Sequence, residues 1–161
     1  MQIEPVTTSH RGALVDFVSS IPPEDRGFFD RSLLSQVAVA SWTQAVPERR
    51  LVAVEDGVVH GLVTVAPGSG WTSHLGELRL VVAPASRGRG VGRSLAEQAI
   101  ELAGSMHLRK VTVDVMATNL RTQAMFTALA FDEEARLRGQ VLDGNGELQD
   151  IVVRARWLDR T

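Results

Sequence analysis

The chain reads as a single α/β domain, and three observations carry that expectation. Strand-like and helix-like segments alternate along it, a glycine-rich turn stands where one strand hands over to one helix, and no change of composition divides it. With 161 residues, 44% of them hydrophobic and 22% charged, it has the size and balance of one globular domain that buries a core without crosslinks. No repeat, low-complexity tract or linker interrupts residues 1–161, so one domain is expected.

The elements follow in order. Ile3 to Val6 forms a short opening strand, and Thr7, Thr8 and Ser9 offer side-chain oxygens to cap a helix whose apolar positions are Leu14, Phe17, Val18 and Ile21. Pro22-Pro23 stops it, since proline lacks an amide hydrogen and disfavours helix in the residue before it. A loop through Phe28-Phe29 leads to a second helix capped by Asp30, with Leu33, Leu34, Val37 and Ala38 as its stripe, although the valines admit a strand. Leu51–Glu55 and Val58–Ala66 are strands joined at Asp56-Gly57, a pair that tolerates the positive backbone angles of a tight hairpin.

After Pro67-Gly68-Ser69-Gly70, the segment Glu77 to Val82 alternates, with Leu78, Leu80 and Val82 expected on one face. Leu95, Ala99, Leu102 and Met106 then recur at helical spacing, and Val111, Val113 and Val115 at strand spacing. A short helix around Thr122–Leu129 precedes two closing strands, which are separated by Asp143-Gly144-Asn145-Gly146 and end with Ile151, Val153, Ala155 and Trp157.

Composition excludes several functions. No apolar run reaches the roughly 20 residues of a membrane span, and Met1-Gln2-Ile3-Glu4-Pro5 lacks the regions of a secretion signal, so a cytoplasmic setting without membrane is expected. A net charge of −2 argues against broad phosphate neutralisation on nucleic acid. The absence of cysteine removes disulfides, thiolate metal ligands and a cysteine-bound acyl intermediate. No metal is expected, and the absence of tyrosine removes a common proton donor.

The chemistry is concentrated in Val82-Ala83-Pro84-Ala85-Ser86-Arg87-Gly88-Arg89-Gly90-Val91-Gly92-Arg93-Ser94. Glycines at 88, 90 and 92 uncover backbone amides at a helix start, where those amides and the helix dipole attract an anion. A tight connection alone would also use glycines. Two phosphate turns are ruled out by residue type: a Walker turn needs Gly-Lys-Ser/Thr, and the dinucleotide fingerprint needs a small residue where Arg93 stands.

Arg87, Gly90 and Gly92, preceded by Val82 and Pro84, match the pattern Arg/Gln-x-x-Gly-x-Gly/Ala and resemble motif A of the GNAT acetyltransferases. Val111 to Val115, then Asn119, Ala124, Phe126, Leu129 and Phe131, resemble that family's later Asn, Ala, Tyr, Leu-Gly-Phe pattern. The resemblance covers about half of the chain well. It implies a mixed, mostly antiparallel, splayed sheet of about six or seven strands flanked by about four helices, with acetyl-CoA as acetyl donor. It implies further that the amides from Arg87 through Gly88, Arg89, Gly90, Val91, Gly92 and Arg93 to Ser94 hold the pyrophosphate. Pantetheine would run along Leu80, Val81 and Val82 as an added strand, with Asn119 and Phe126 facing the cofactor. Arg87 and Arg89, and to a lesser extent Arg93, are the guanidinium partners for phosphate, against the plainer reading of solvated surface.

An amine must lose a proton before it attacks a thioester. Glu77 lies close to the place where many GNAT enzymes carry a catalytic glutamate, and His74 is the second candidate; the alternatives are an ion pair with Arg79 and an ordinary loop histidine. His60, His10 and His107 are explained by packing or solvation. Where the family pattern has a tyrosine this chain has Phe126, and Ala130 stands where a glycine is common. The expectation is therefore an N-acetyltransferase working by direct transfer in a ternary complex on a primary amine of a small molecule, with a catalytically weak or inactive acyl-CoA-binding sensor or interaction module as the alternative. The acceptor contacts are expected in Pro22–Phe29, Gly68–His74 and Gly139–Asp150, with Phe28, Phe29 and Trp71 read as loop anchors. A homodimer through the closing hairpin is open.

Overall fold

A computed structural model of the chain describes residues 1–25 and 47–158. The expected helix from Asp30 to Ala38 and the loop aromatics Phe28 and Phe29 lie outside the described residues. Within them the elements are β1 (Gln2–Pro5), α1 (Arg11–Ser20), β2 (Arg49–Glu55), β3 (Val58–Pro67), β4 (Leu75–Val82), α2 (Val91–Ser105), β5 (Lys110–Met116), α3 (Leu120–Ala128), β6 (Asp132–Leu142) and β7 (Leu148–Trp157). The seven strands form one sheet in the order β1-β2-β3-β4-β5-β7-β6. β1 runs antiparallel to β2, and β7 antiparallel to both β5 and β6, whereas β4 and β5 are parallel. This is the mixed, mostly antiparallel α/β sheet that the resemblance implies. No helix among the described residues is long and apolar enough to cross a membrane.

Two compact units share these elements: Met1–Thr64 with Leu80–Ala99, and Val65–Arg79 with Ile100–Thr161. In the first, Leu14, Phe17 and Val18 on α1 and Ile21 at its C-cap are buried against Val52, Val59, Leu62 and Val81. The Thr7 amide donates to His10 Nδ1 at 2.9 Å, which leaves the proton on Nε2 to donate to Glu4 at 2.7 Å. His10 thus does the work of a cap. Asp56 and Gly57 both have positive φ, 50° and 76°, the conformation that lets β2 return directly as β3. Gly61 sets how closely α2 packs: a Cβ there would lie 2.7 Å from Leu95 Cδ1 and 3.2 Å from the Val81 carbonyl. Only glycine allows that approach.

In the second unit Val111, Val113 and Val115 are all buried. α3 ends in a Schellman turn, in which the Phe131 amide donates to Phe126 O at 2.9 Å and the Ala130 amide to Thr127 O at 3.0 Å. The apolar contact that accompanies such turns is Phe126 on Phe131, edge to face with centroids 5.0 Å apart. Burying an aromatic side chain of this size is worth about 2–3 kcal/mol. Arg156 reinforces the helix end by donating to the Leu129 carbonyl at 2.9 Å.

The structure corrects two sequence expectations. Strict alternation along β4 fails: Gly76 and Leu78 are buried, but the next buried residue is Val81 rather than Leu80 or Val82. Core contacts to α1 take precedence over the period of two there, because Val81 joins the Leu14–Phe17 cluster. Trp71 does not anchor its loop. It sits on a single 3-10 turn, Gly70–Thr72, and is 98% exposed.

Candidate active site

The turn after β4 is shaped residue by residue. Ala83 donates its amide to His60 O at 2.9 Å, which fixes the strand end on β3. Pro84–Ser86 makes one 3-10 turn. Ser86, only 2% exposed, bonds through Oγ to His60 Nδ1 at 2.7 Å. His60, which packing alone explained in the sequence, therefore holds the turn in place. Gly88 and Gly90 follow with φ of 77° and 80°, a conformation that costs other residues about 1–2 kcal/mol. Ser94 is the amide that bonds back to Gly90 O, at 3.0 Å. The amides of Val91, Gly92 and Arg93 belong to the first turn of α2, where helical geometry offers them no acceptor.

Nothing lies within 4 Å of where a Gly90 side chain would begin. Gly90, Val91, Ser94 and Arg89 instead line a cleft of about 300 Å³ together with Met1, Ile3 and Gln98. A helix start of this kind turns amides and the positive end of its dipole toward open space, a setting that favours an anion.

The three arginines make exposed ion pairs. Arg87 donates to Asp25 at 2.6 Å and through Nε to the Val82 carbonyl at 3.3 Å, Arg89 reaches Glu55 at 3.4 Å, and Arg93 pairs with Glu97 one helical turn on at 3.0 Å. The Glu55 carboxyl is held below its ordinary range, first by the amino group of Met1 and then by Arg89. Asp25 and Glu55 were not singled out in the sequence, because neither lies near the glycines along the chain.

The second unit carries the remaining candidates. Asn119 caps α3, its side-chain oxygen accepting from the Thr122 amide at 3.1 Å. Phe126 is buried, at 1% exposure. Ala130 has φ of 61°, the left-handed angle that explains why glycine suits this position. His74 contributes its carbonyl, which accepts from Arg109 at 2.8 Å and Lys110 at 3.3 Å. Glu77 is gripped by Arg79 through Nε at 2.9 Å and a second guanidinium nitrogen at 3.3 Å, the ion-pair alternative considered for it.

One further acid emerges. Burial first, and the charge of Glu77 second, push the Asp114 carboxyl above its ordinary range, against the opposing influence of Arg79. Its signal in the sequence was an acid at an off-core position of Val111-Thr112-Val113-Asp114-Val115. β4 and β5 are paired from Leu75 with Lys110 to Leu78 with Val113. Leu80, Val81 and Val82 lie beyond that register.

The chain can now be set beside known proteins. The model of the acetyltransferase (GNAT) family matches residues 15–131. No curated protein matches the chain. Among solved structures, a ribosomal-protein-alanine N-acetyltransferase from Brucella melitensis is 22% identical with a TM-score of 0.87, over 98% of this chain and 100% of that one. A GCN5-related N-acetyltransferase from Kribbella flavida is 26% identical with a TM-score of 0.78, over 98% and 97%. A GNAT superfamily phosphinothricin acetyltransferase from Sinorhizobium meliloti, in complex with AcCoA, is 15% identical with a TM-score of 0.85, over 98% and 88%. With a family match spanning most of its length and the same fold as these enzymes, the chain belongs to the GNAT family and is an acetyltransferase.

Proposed function

We propose that the protein transfers the acetyl group of acetyl-CoA to a primary amine of a small molecule by direct attack in a ternary complex. The observation that carries the reading is the start of α2, where Gly88 and Gly90 hold left-handed backbone and the Val91–Arg93 amides have no helical acceptor. Those amides suit the diphosphate of CoA. Arg87 and Arg89 can exchange carboxylate for phosphate oxygen at little cost, since exposed ion pairs contribute only about 0–1 kcal/mol. The backbone of Leu80–Val82 suits pantetheine, and an amide near Val82 suits the oxyanion of the tetrahedral intermediate. Asn119 and Phe126 are the residues of the second unit assigned to the cofactor.

The amine's proton goes to a base, for which the sequence offers Glu77 and His74. With no cysteine in the chain the acetyl group passes straight from sulfur to nitrogen. Phe126 has no proton to donate, so the CoA thiolate leaves as an anion, which a thiol with a reference pKa near about 8.5 tolerates.

The test is calorimetry with acetyl-CoA, followed by incubation with a varied amine panel while free thiol is read. Binding together with thiol release dependent on one amine supports the proposal; absence of binding refutes it. Phe126 in place of the family's tyrosine supports a second reading, an acyl-CoA sensor, for which tight binding without release across the panel is the expected result.

A further inference from the structure

Two carboxylates of the first unit stand against the turn that opens α2. Arg87 spends one edge of its guanidinium on protein: Nε donates to the Val82 carbonyl at 3.3 Å and Nη2 to Asp25 Oδ2 at 2.6 Å. That edge is a fork with which arginine can grip a phosphate through two parallel hydrogen bonds. Arg89 donates through Nη2 to Glu55 Oε2 at 3.4 Å, while Glu55 Oε1 accepts from the Met1 amino group at 3.1 Å. Each of these two arginines therefore faces a carboxylate in the same unit.

The acids are fixed by their backbone. Asp25 closes the 3-10 turn Pro23–Asp25, with its amide donating to Pro22 O at 3.0 Å, and Glu55 is the last residue of β2. Both pairs are open to water: the side chains of Arg87 and Asp25 are 45% and 32% exposed, those of Arg89 and Glu55 49% and 38%. Ion pairs so exposed hold weakly and yield to a better anion. A diphosphate that arrives at the turn thus meets amides and guanidinium groups that attract it. It also meets two fixed carboxylates that share its donors and repel its charge.

We propose that Asp25 and Glu55 are resident competitors of the cofactor's diphosphate, which weaken the hold of the turn on acetyl-CoA and on the CoA left after transfer by the same factor. The inference rests on the reading that this turn takes the diphosphate. Donor and product carry the same diphosphate, so the competition acts on both and takes no part in the chemistry at the thioester. Affinity differences within one site fall mainly on dissociation. The two acids accordingly speed the release of spent CoA and its replacement by acetyl-CoA.

The test is calorimetry with acetyl-CoA and, separately, with CoA, for wild type, Asp25→Asn, Glu55→Gln, the double variant and Asp16→Asn. Asp16 is an exposed acid of α1 in the same unit and controls for net charge alone. A thermal melt verifies that each variant is folded, and Glu55→Gln carries the test if Asp25→Asn is not. Asp25→Asn should bind both ligands about two- to fivefold more tightly than wild type. Glu55→Gln should shift affinity in the same direction by less, because its contact to Arg89 is longer, and the double variant should bind most tightly. Asp16→Asn should bind as wild type does. Raising salt from about 0.05 M to about 0.5 M should narrow the gap between Asp25→Asn and wild type, since exposed charges are then screened.

Weaker binding in Asp25→Asn would make Asp25 a positioning residue for Arg87 and overturns the competition. Equal tightening in Asp16→Asn, a gain confined to acetyl-CoA, or a gap that salt leaves unchanged overturns it as well. A wild type that binds acetyl-CoA with the same affinity as Asp25→Asn and Glu55→Gln overturns this inference alone. A wild type that binds no acetyl-CoA overturns the reading beneath it.

Discussion

Gly90→Ala separates the two demands placed on the turn, backbone strain and anion access. The new Cβ meets no protein atom within 4 Å, so no clash enters the balance. What remains is φ of 80°, costing alanine about 1–2 kcal/mol, offset by about 0.4–1 kcal/mol because alanine restricts the unfolded chain. The net loss is about 0.5–1.5 kcal/mol. An unfolding entropy of about 2.1 cal/mol/K per residue gives about 0.34 kcal/mol/K for 161 residues, so Tm falls by about 1.5–4 °C. Gly57→Ala is the matched control, with φ of 76° and equally open surroundings in the β2–β3 hairpin. Both variants should lose similar stability in a thermal melt without ligand. Only Gly90→Ala should weaken acetyl-CoA binding, by about tenfold if one amide bond to a charged oxygen is lost. Equal affinity in the two variants by calorimetry would refute the claim that this turn grips the diphosphate.

Ala130→Gly should raise Tm by about 1–3 °C, since it relieves the left-handed angle of 61° at a Schellman turn; an unchanged or lower melt refutes the strain. Ser86→Ala removes the buried bond to His60 and should cost about 1–2 kcal/mol in denaturant unfolding, whereas a neutral result would mean that water replaces the hydroxyl. For Asp114 the folded state binds its proton more tightly than the unfolded chain. The aspartate therefore adds nothing unfavourable below its unfolded value, and it destabilises increasingly as pH rises through the folded one. Asp114→Asn should accordingly melt higher than wild type at neutral pH, with the difference vanishing in acid; the opposite order shows that the carboxylate is a net stabiliser.

Much of the site could be read from local pattern. The glycines after Val82 announced exposed amides because a helix start and positive φ are local properties, and Gly88 and Gly90 adopt the angles that only glycine takes cheaply. The same holds for Asp56-Gly57, and for the α1 stripe of Leu14, Phe17 and Val18. Trp71 misled because an aromatic residue signals burial only on average. The β4 alternation misled because which side chain turns inward is settled by what packs on it, here α1 on Val81.

The order of the described elements, the glycine-rich turn and the family were thus determined by the sequence, since hydrophobic period, proline, glycine and short motifs act over a few residues. Tertiary structure alone decided that Arg87 and Arg89 find Asp25 and Glu55, and that Ser86 is tied to His60. Those partners come from strands and turns whose adjacency depends on sheet order and register, and electrostatic interactions depend on distance in space, not on separation along the chain.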